Sequence, residues 1–195
     1  MATPHADPHH RSQDTRRRVL EMAVSLREDR AGGSVDYFLA LLQDRLPFWL
    51  SILHNLSHRI GRGAVSDNLL PIARAGIDYY IDVQSAALPA FTSPKVTVRF
   101  RQAIRDAGLG PHTEVAPLAA YLEAEQRLGR VRADADPEGS ARLLVAGCFH
   151  RAYIEMFVGA DAGPSRDASA REIVRELRLE PLPRPALSTP PDPLT

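Results

Sequence analysis

From about residue 14 to residue 180 the apolar positions recur at helical spacing almost throughout, and no stretch sustains the alternation of a strand. The pattern predicts an all-α fold. A first helix is expected over about 14–30, with Val19, Ala23 and Leu26 on one face and Gly32-Gly33 ending it. On the apolar stretch 35–60, Phe38, Leu42, Trp49, Leu53, Leu56 and Ile60 form one stripe. Pro47 should kink or interrupt that stretch, because proline lacks a backbone donor and its ring clashes one turn back. A helix over about 66–90 carries Leu70, Ala73, Ile77, Tyr80, Gln84 and Leu88 on its seam. Ser93-Pro94 starts another, burying Val96, Phe100, Ala103 and Ala107, and the Gly108–Pro111 run stops it. Thr113 is the expected cap of a helix with Val115, Leu118 and Leu122 inward, ended by Gly129.

Asp136-Pro137-Glu138 is the clearest start signal: a cap, a proline at the first helical position, and an acid facing the helix dipole. The helix it opens should run to about Val158. Ser169-Ala170-Arg171-Glu172 reads as a capping box before Ile173, Val174 and Leu177. Polar residues 1–13 and proline-rich 181–195 frame the whole as two tails expected to be disordered.

The segment 143–158 is apolar on too many sides for a helix that covers one core. Leu143, Gly147, His150 and Ile154 form one stripe, Val145, Phe149, Tyr153 and Met156 a second, and Leu144, Cys148 and Ala152 a third. Either this helix is wrapped wholly by its own chain, or a second face meets a symmetry mate across a twofold contact. The second alternative makes Val145, Phe149, Tyr153 and Met156, with Ile173 and Leu177 of the last helix, the candidate dimer interface.

Composition narrows the function classes. Twenty-four basic and 24 acidic side chains balance, which argues against a surface coated in nucleic acid. Cys148 is the single cysteine, so neither an intrachain disulfide nor a thiolate zinc cluster is available, and a reducing, cytoplasmic setting is expected. There is no signal-peptide core, and no apolar run long enough to span a membrane. Lys95 is the single lysine, an arginine bias that suits a high-GC bacterial genome. No nucleophile elbow, phosphate-binding glycine loop or dinucleotide fingerprint is found, so no enzyme activity and no cofactor is expected.

Several segments resemble TetR-family transcriptional regulators of actinobacterial type. Ala119–Glu138 looks like the junction between the last pocket helix and the first dimer helix of that family, and Ala141–Tyr153 is similar to the dimer helix itself. Tyr79-Tyr80, Val83-Gln84, Phe91 and Arg105–His112 add to the likeness, which covers roughly 35–179. The resemblance implies a C-terminal helical bundle that dimerises through its last two helices and takes a small apolar or aromatic effector between the middle ones. It also implies a DNA-reading head. Asp14–Val24 is similar to that head's first helix, but the residues that follow are too few for a turn and a recognition helix. Residues 14–34 are therefore expected to be a remnant or degenerate head, and 35–180 the ligand and dimer domain. Arg16, Arg17 and Arg18 would at most contact phosphates, and a solvated helix face explains them equally well. DNA binding by this chain alone is doubtful on these grounds. The competing expectation is a headless module that pairs with a full-length regulator.

Trp49, Tyr80 and Phe100 lie on inward stripes of three middle helices and are the core of the expected pocket, with Leu53, Ile77, Tyr121 and the amide of Gln84. As ordinary core residues they would look the same. His54 and His58 are four apart, a spacing that suits a metal, but no acid completes the set, so no metal site is expected.

Overall fold

The computed structural model describes residues 33–88, 112–161 and 163–181, together with helical positions 94, 97, 98, 101, 102 and 105. The expected first helix, tail residues 1–13 and 182–195, Arg16–Arg18 and Phe100 lie outside the described residues.

Among the described residues every regular element is a helix. We number them α1 (Gly33–His54), α2 (Val65–Ala87), α3 (His112–Arg127), α4 (Pro137–Val158) and α5 (Arg166–Glu176), with a 3₁₀ turn, Asn55–Arg59, following α1. No described helix is long and apolar enough to cross a membrane. The centre of the bundle is α2, which packs on α1, α4 and α5, while α4 also packs on α3. This position explains the breadth of its buried surface: Leu69, Ile72, Ala73, Gly76, Ile77, Tyr79, Tyr80, Val83 and Ala86 are all inside. The single predicted seam is thus too narrow, and its end residue Leu88 is exposed.

Pro47 does not interrupt α1, which continues past it to His54. The reason is packing on both sides of the proline. Phe38, Leu41, Leu42 and Leu46 before it, and Trp49 and Leu53 after it, are buried on one face, while Pro47 itself is exposed. Shared burial of that length outweighs the loss of one ladder bond. His54 and His58 are exposed, and His54 Nδ1 lies 2.7 Å from the Leu50 carbonyl of its own helix.

The start of α4 follows the local signals closely. Pro137 is the first helical residue, and the Asp136 side chain accepts from the Glu138 amide at 3.1 Å. The start of α5 does not. Its cap is Ser165, whose hydroxyl accepts from the Ala168 amide at 3.2 Å, and Ser169 is buried one turn inside the helix. A distant contact decides this. Arg166 donates to both Glu155 oxygens and to Asp78 (2.6 Å), which draws the first turn of α5 onto α4 and α2. The cap therefore stands four residues before the predicted one, Ser165 in place of Ser169.

Gly129, at φ +71°, ends α3 in a conformation that suits glycine. Beyond α5, Leu179 is buried and its carbonyl accepts from the Arg132 amide at 2.9 Å, tying the end of the described chain to the α3–α4 connection.

Candidate functional site

Polar groups inside an apolar bundle mark where sequence and function diverge from packing, since each must find a partner when it leaves water. Three glutamates are buried among the described residues: Glu114, Glu125 and Glu155. Two of them are structural clamps. Glu125 accepts from Arg130 Nε at 2.5 Å and from the Gly61 amide at 3.0 Å, while Arg130 also donates to the Gly63 carbonyl. Asn68 joins the same clamp, donating to the Tyr121 hydroxyl at 3.0 Å and to the Arg62 carbonyl at 2.7 Å. Glu155 is held by Arg166 and by Arg151, the latter at 3.2 Å. Arg166 beside it holds the Glu155 carboxyl below the usual range, against the opposing effect of burial.

Glu114 is different. It enters the bundle from the first turn of α3 and is 7% exposed. Its Oε2 accepts from Trp49 Nε1 of α1 at 3.2 Å and from the Tyr80 hydroxyl of α2, and Tyr79 lies within hydrogen-bonding reach. Among the described residues no cationic side chain pairs with it. Burial raises its pKa, and the hydrogen bonds from Tyr80, Trp49 and Tyr79 oppose that rise only in part. The Tyr79 and Tyr80 hydroxyls are in turn pushed well above their ordinary value, by burial first and by the nearby Glu114 charge second.

The rings around this carboxyl form a continuous series. Trp49 stacks on Tyr79 with centroids 5.6 Å apart, Tyr79 meets Tyr80 edge-on at 5.0 Å, and Tyr80 meets Phe149 of α4 edge-on at 5.5 Å. One turn beyond Tyr80, Gln84 donates from Nε2 to the Phe149 carbonyl at 2.8 Å, while its buried Oε1 has no hydrogen-bond partner. Gly76 allows the tight packing beneath: a Cβ there would lie 3.1 Å from Trp49 Cη2 and 3.2 Å from Cys148 Sγ.

Of the expected pocket residues, Trp49 and Tyr80 therefore come together on Glu114, and Gln84 lies one turn beyond Tyr80 on α2 with its Nε2 on the Phe149 carbonyl. Leu53 and Ile77 are fully buried in the common core. Tyr121 belongs to the Glu125 clamp, about 10 Å further along α3 at the helical rise. Sequence reasoning passed over Glu114, Asn68, Glu125 and Arg130. The usable signal was on α3: the inward stripe Glu114, Leu118, Tyr121, Leu122, Glu125 begins and ends with an acid. A separate shallow cavity of about 220 Å³ lies on the outer side of α1 and α2, lined by Ile52, Leu56, Arg59, Asp67 and Pro71 among others.

The other candidate surface is on α4. Its core face is Leu144, Cys148, Ala152, Arg151 and Glu155. On the opposite side Leu143 is 65% exposed, Phe149 48%, Tyr153 47%, Phe157 61% and Val158 65%. Ala146 and His150 are exposed between them. Of the expected interface residues, Phe149 and Tyr153 are on this face, while Val145, Met156, Ile173 and Leu177 are half-buried beside it. Gly147 lets α5 approach α4, with Ile173 against it.

No family model, curated protein or solved structure matches the chain.

Proposed function

We propose that this chain is the effector-sensing, dimer-forming helical domain of a TetR-like transcriptional regulator. The observation that carries the reading is the outer face of α4. Leu143, Ala146, His150, Tyr153 and Phe157 follow one another at spacings of three, four, three and four, the seam along which two helices pack. A second copy is the natural occupant, because across a twofold axis such a face meets itself. With α5 alongside, two copies would form a four-helix seam of ordinary size, ~1,200–2,000 Å² in total.

The Glu114 cluster supports the sensing half of the proposal: convergent rings and a few polar groups, one of them without a partner, are what an effector seat is made of. Phe149 belongs to both places. Its ring packs on Tyr80, its carbonyl holds Gln84, and its exposed edge lies on the outer face of α4. A ligand that moves Tyr80 would thus act on α4 directly and shift the population of dimer geometries.

Light scattering on the purified chain, paired with mobility shift on its own upstream DNA over a salt series, tests the proposal. A dimer at micromolar concentration that shifts DNA supports a regulator. A dimer with no shift at low salt assigns the chain to the headless alternative, a module that pairs with a full-length relative. A monodisperse monomer overturns both.

A further inference from the structure

Each buried acid in the described bundle has an arginine except Glu114. Glu125 has Arg130, and Glu155 has Arg151 and Arg166. Burying a carboxyl without a cation is costly to the charged form, and hydrogen bonds from neutral hydroxyl and indole groups offset only part of that cost. A second unmet group lies one turn along α2 from Tyr80. Gln84 is 6% exposed, its Nε2 is used, and its Oε1 accepts nothing. Both deficits leave negative potential unmatched: Glu114 has hydrogen bonds but no cation, and Gln84 Oε1 has no donor.

Trp49 and Tyr80 contact Glu114, the Phe149 backbone contacts Gln84, and Tyr79 joins the ring series. Ring faces of this kind attract cations through their quadrupole, tryptophan most strongly. The series runs from the buried indole of Trp49 to the half-exposed Phe149, each ring in contact with the next. A neutral aromatic ligand without a donor would stack on these rings but leave Glu114 without a cation and Gln84 Oε1 without a donor.

We infer that the Glu114 cluster binds an organic ammonium, a small molecule with an apolar or aromatic body and a protonated amine that donates to Glu114. A further donor on the ligand would satisfy Gln84 Oε1. The inference rests on the reading of this cluster as the effector seat and narrows its ligand class from apolar or aromatic to cationic.

Trp49 is the chain's one tryptophan and touches Glu114, so its fluorescence follows changes at this cluster. The test titrates the full chain with three probes of equal length: 4-phenylbutylamine, 4-phenylbutanol and 4-phenylbutyrate. The amine is expected to bind roughly tenfold tighter than the alcohol, and the carboxylate weakest. In Glu114→Gln the amine should fall to the level of the alcohol, whose own affinity is unchanged. The comparison of amine with alcohol on the native chain needs no variant, so a poorly folded Glu114→Gln does not spoil it. Equal binding of all three probes overturns the ammonium inference and leaves the effector seat standing. Absence of any response up to millimolar concentration overturns both, while dimerisation and DNA binding are judged by their own measurements.

Discussion

Replacing Tyr153 by Glu puts a charge in the middle of the proposed seam while leaving the core of the single chain alone. The side chain is 47% exposed and its ring meets that of its neighbour Phe157 in a tilted contact, centroids 4.6 Å apart. A tyrosine buries on the order of 200 Å² when fully enclosed, so about 100 Å² per copy remains for a partner to cover. At ~25 cal/mol per Å² that area is worth about 2.5 kcal/mol per copy, about 5 kcal/mol in a symmetric pair. Ordering and rigid-body terms keep the full amount from appearing as affinity, while two carboxylates facing each other near the axis add repulsion. The dimer dissociation constant of Tyr153→Glu should rise by at least ~100-fold, which corresponds to about 2.7 kcal/mol. Sedimentation equilibrium or light scattering over a concentration series measures it. Glu123→Ala, on an exposed pair with Arg127 of α3, serves as a control that should leave the dimer intact. If Tyr153→Glu dimerises as tightly as the native chain, α4 is not the seam.

The two buried glutamates that carry pKa shifts should give opposite pH profiles. Glu114 is raised, so its contribution to stability is full below the ordinary carboxyl pKa and is lost as pH rises through the folded value. Urea unfolding at pH 5 and pH 8 should therefore show Glu114→Gln gaining on the native chain as pH rises, and a constant difference would contradict the burial argument. Glu155 is lowered by Arg166, so its contribution is present above the ordinary carboxyl pKa and is lost as pH falls through the folded value. Glu155→Gln should cost about 3 kcal/mol at neutral pH, because it strands the buried Arg151, and progressively less in acid. Gly147→Ala brings a Cβ to 2.9 Å from Ile173 Cγ1. That overlap should destabilise by about 1–3 kcal/mol, less the roughly 1 kcal/mol that alanine gains in a helix, and Ile173→Ala should relieve it in a double-mutant cycle.

The sequence announced those features whose causes are local. Asp136-Pro137 predicts the start of α4 because cap, proline and acid all act within one turn. The all-helical class follows from a period that needs no tertiary information. The outer face of α4 was legible only in part: Phe149 and Tyr153 of the expected stripe are exposed, but Val145 and Met156 are half-buried, and Leu143 and His150 of another stripe complete the face. What stayed hidden depends on residues far apart in the chain. Ser165 wins over Ser169 as a cap because Arg166 reaches Glu155 and Asp78. Pro47 fails to break α1 because apolar side chains on both sides of it are buried together. Glu114 was passed over because an acid in a first helical turn ordinarily serves the helix dipole in water. Only the folding of α1 and α2 against α3 surrounds it with Trp49, Tyr79 and Tyr80. Tyr121 shows the converse error: an inward ring is no guide to which polar network it joins.

The thiol of Cys148 is fully buried where α4 crosses α2, donating to the Ala73 carbonyl at 3.3 Å, and burial pushes its pKa up to about 12. Such a sulfur is inert to alkylating reagents while the two helices are together. Being unique in the chain, it turns the α2–α4 junction into a clock. The rate at which a thiol reagent labels it under native conditions measures how often that junction comes apart, and any molecule that seals the bundle will slow the labelling in proportion.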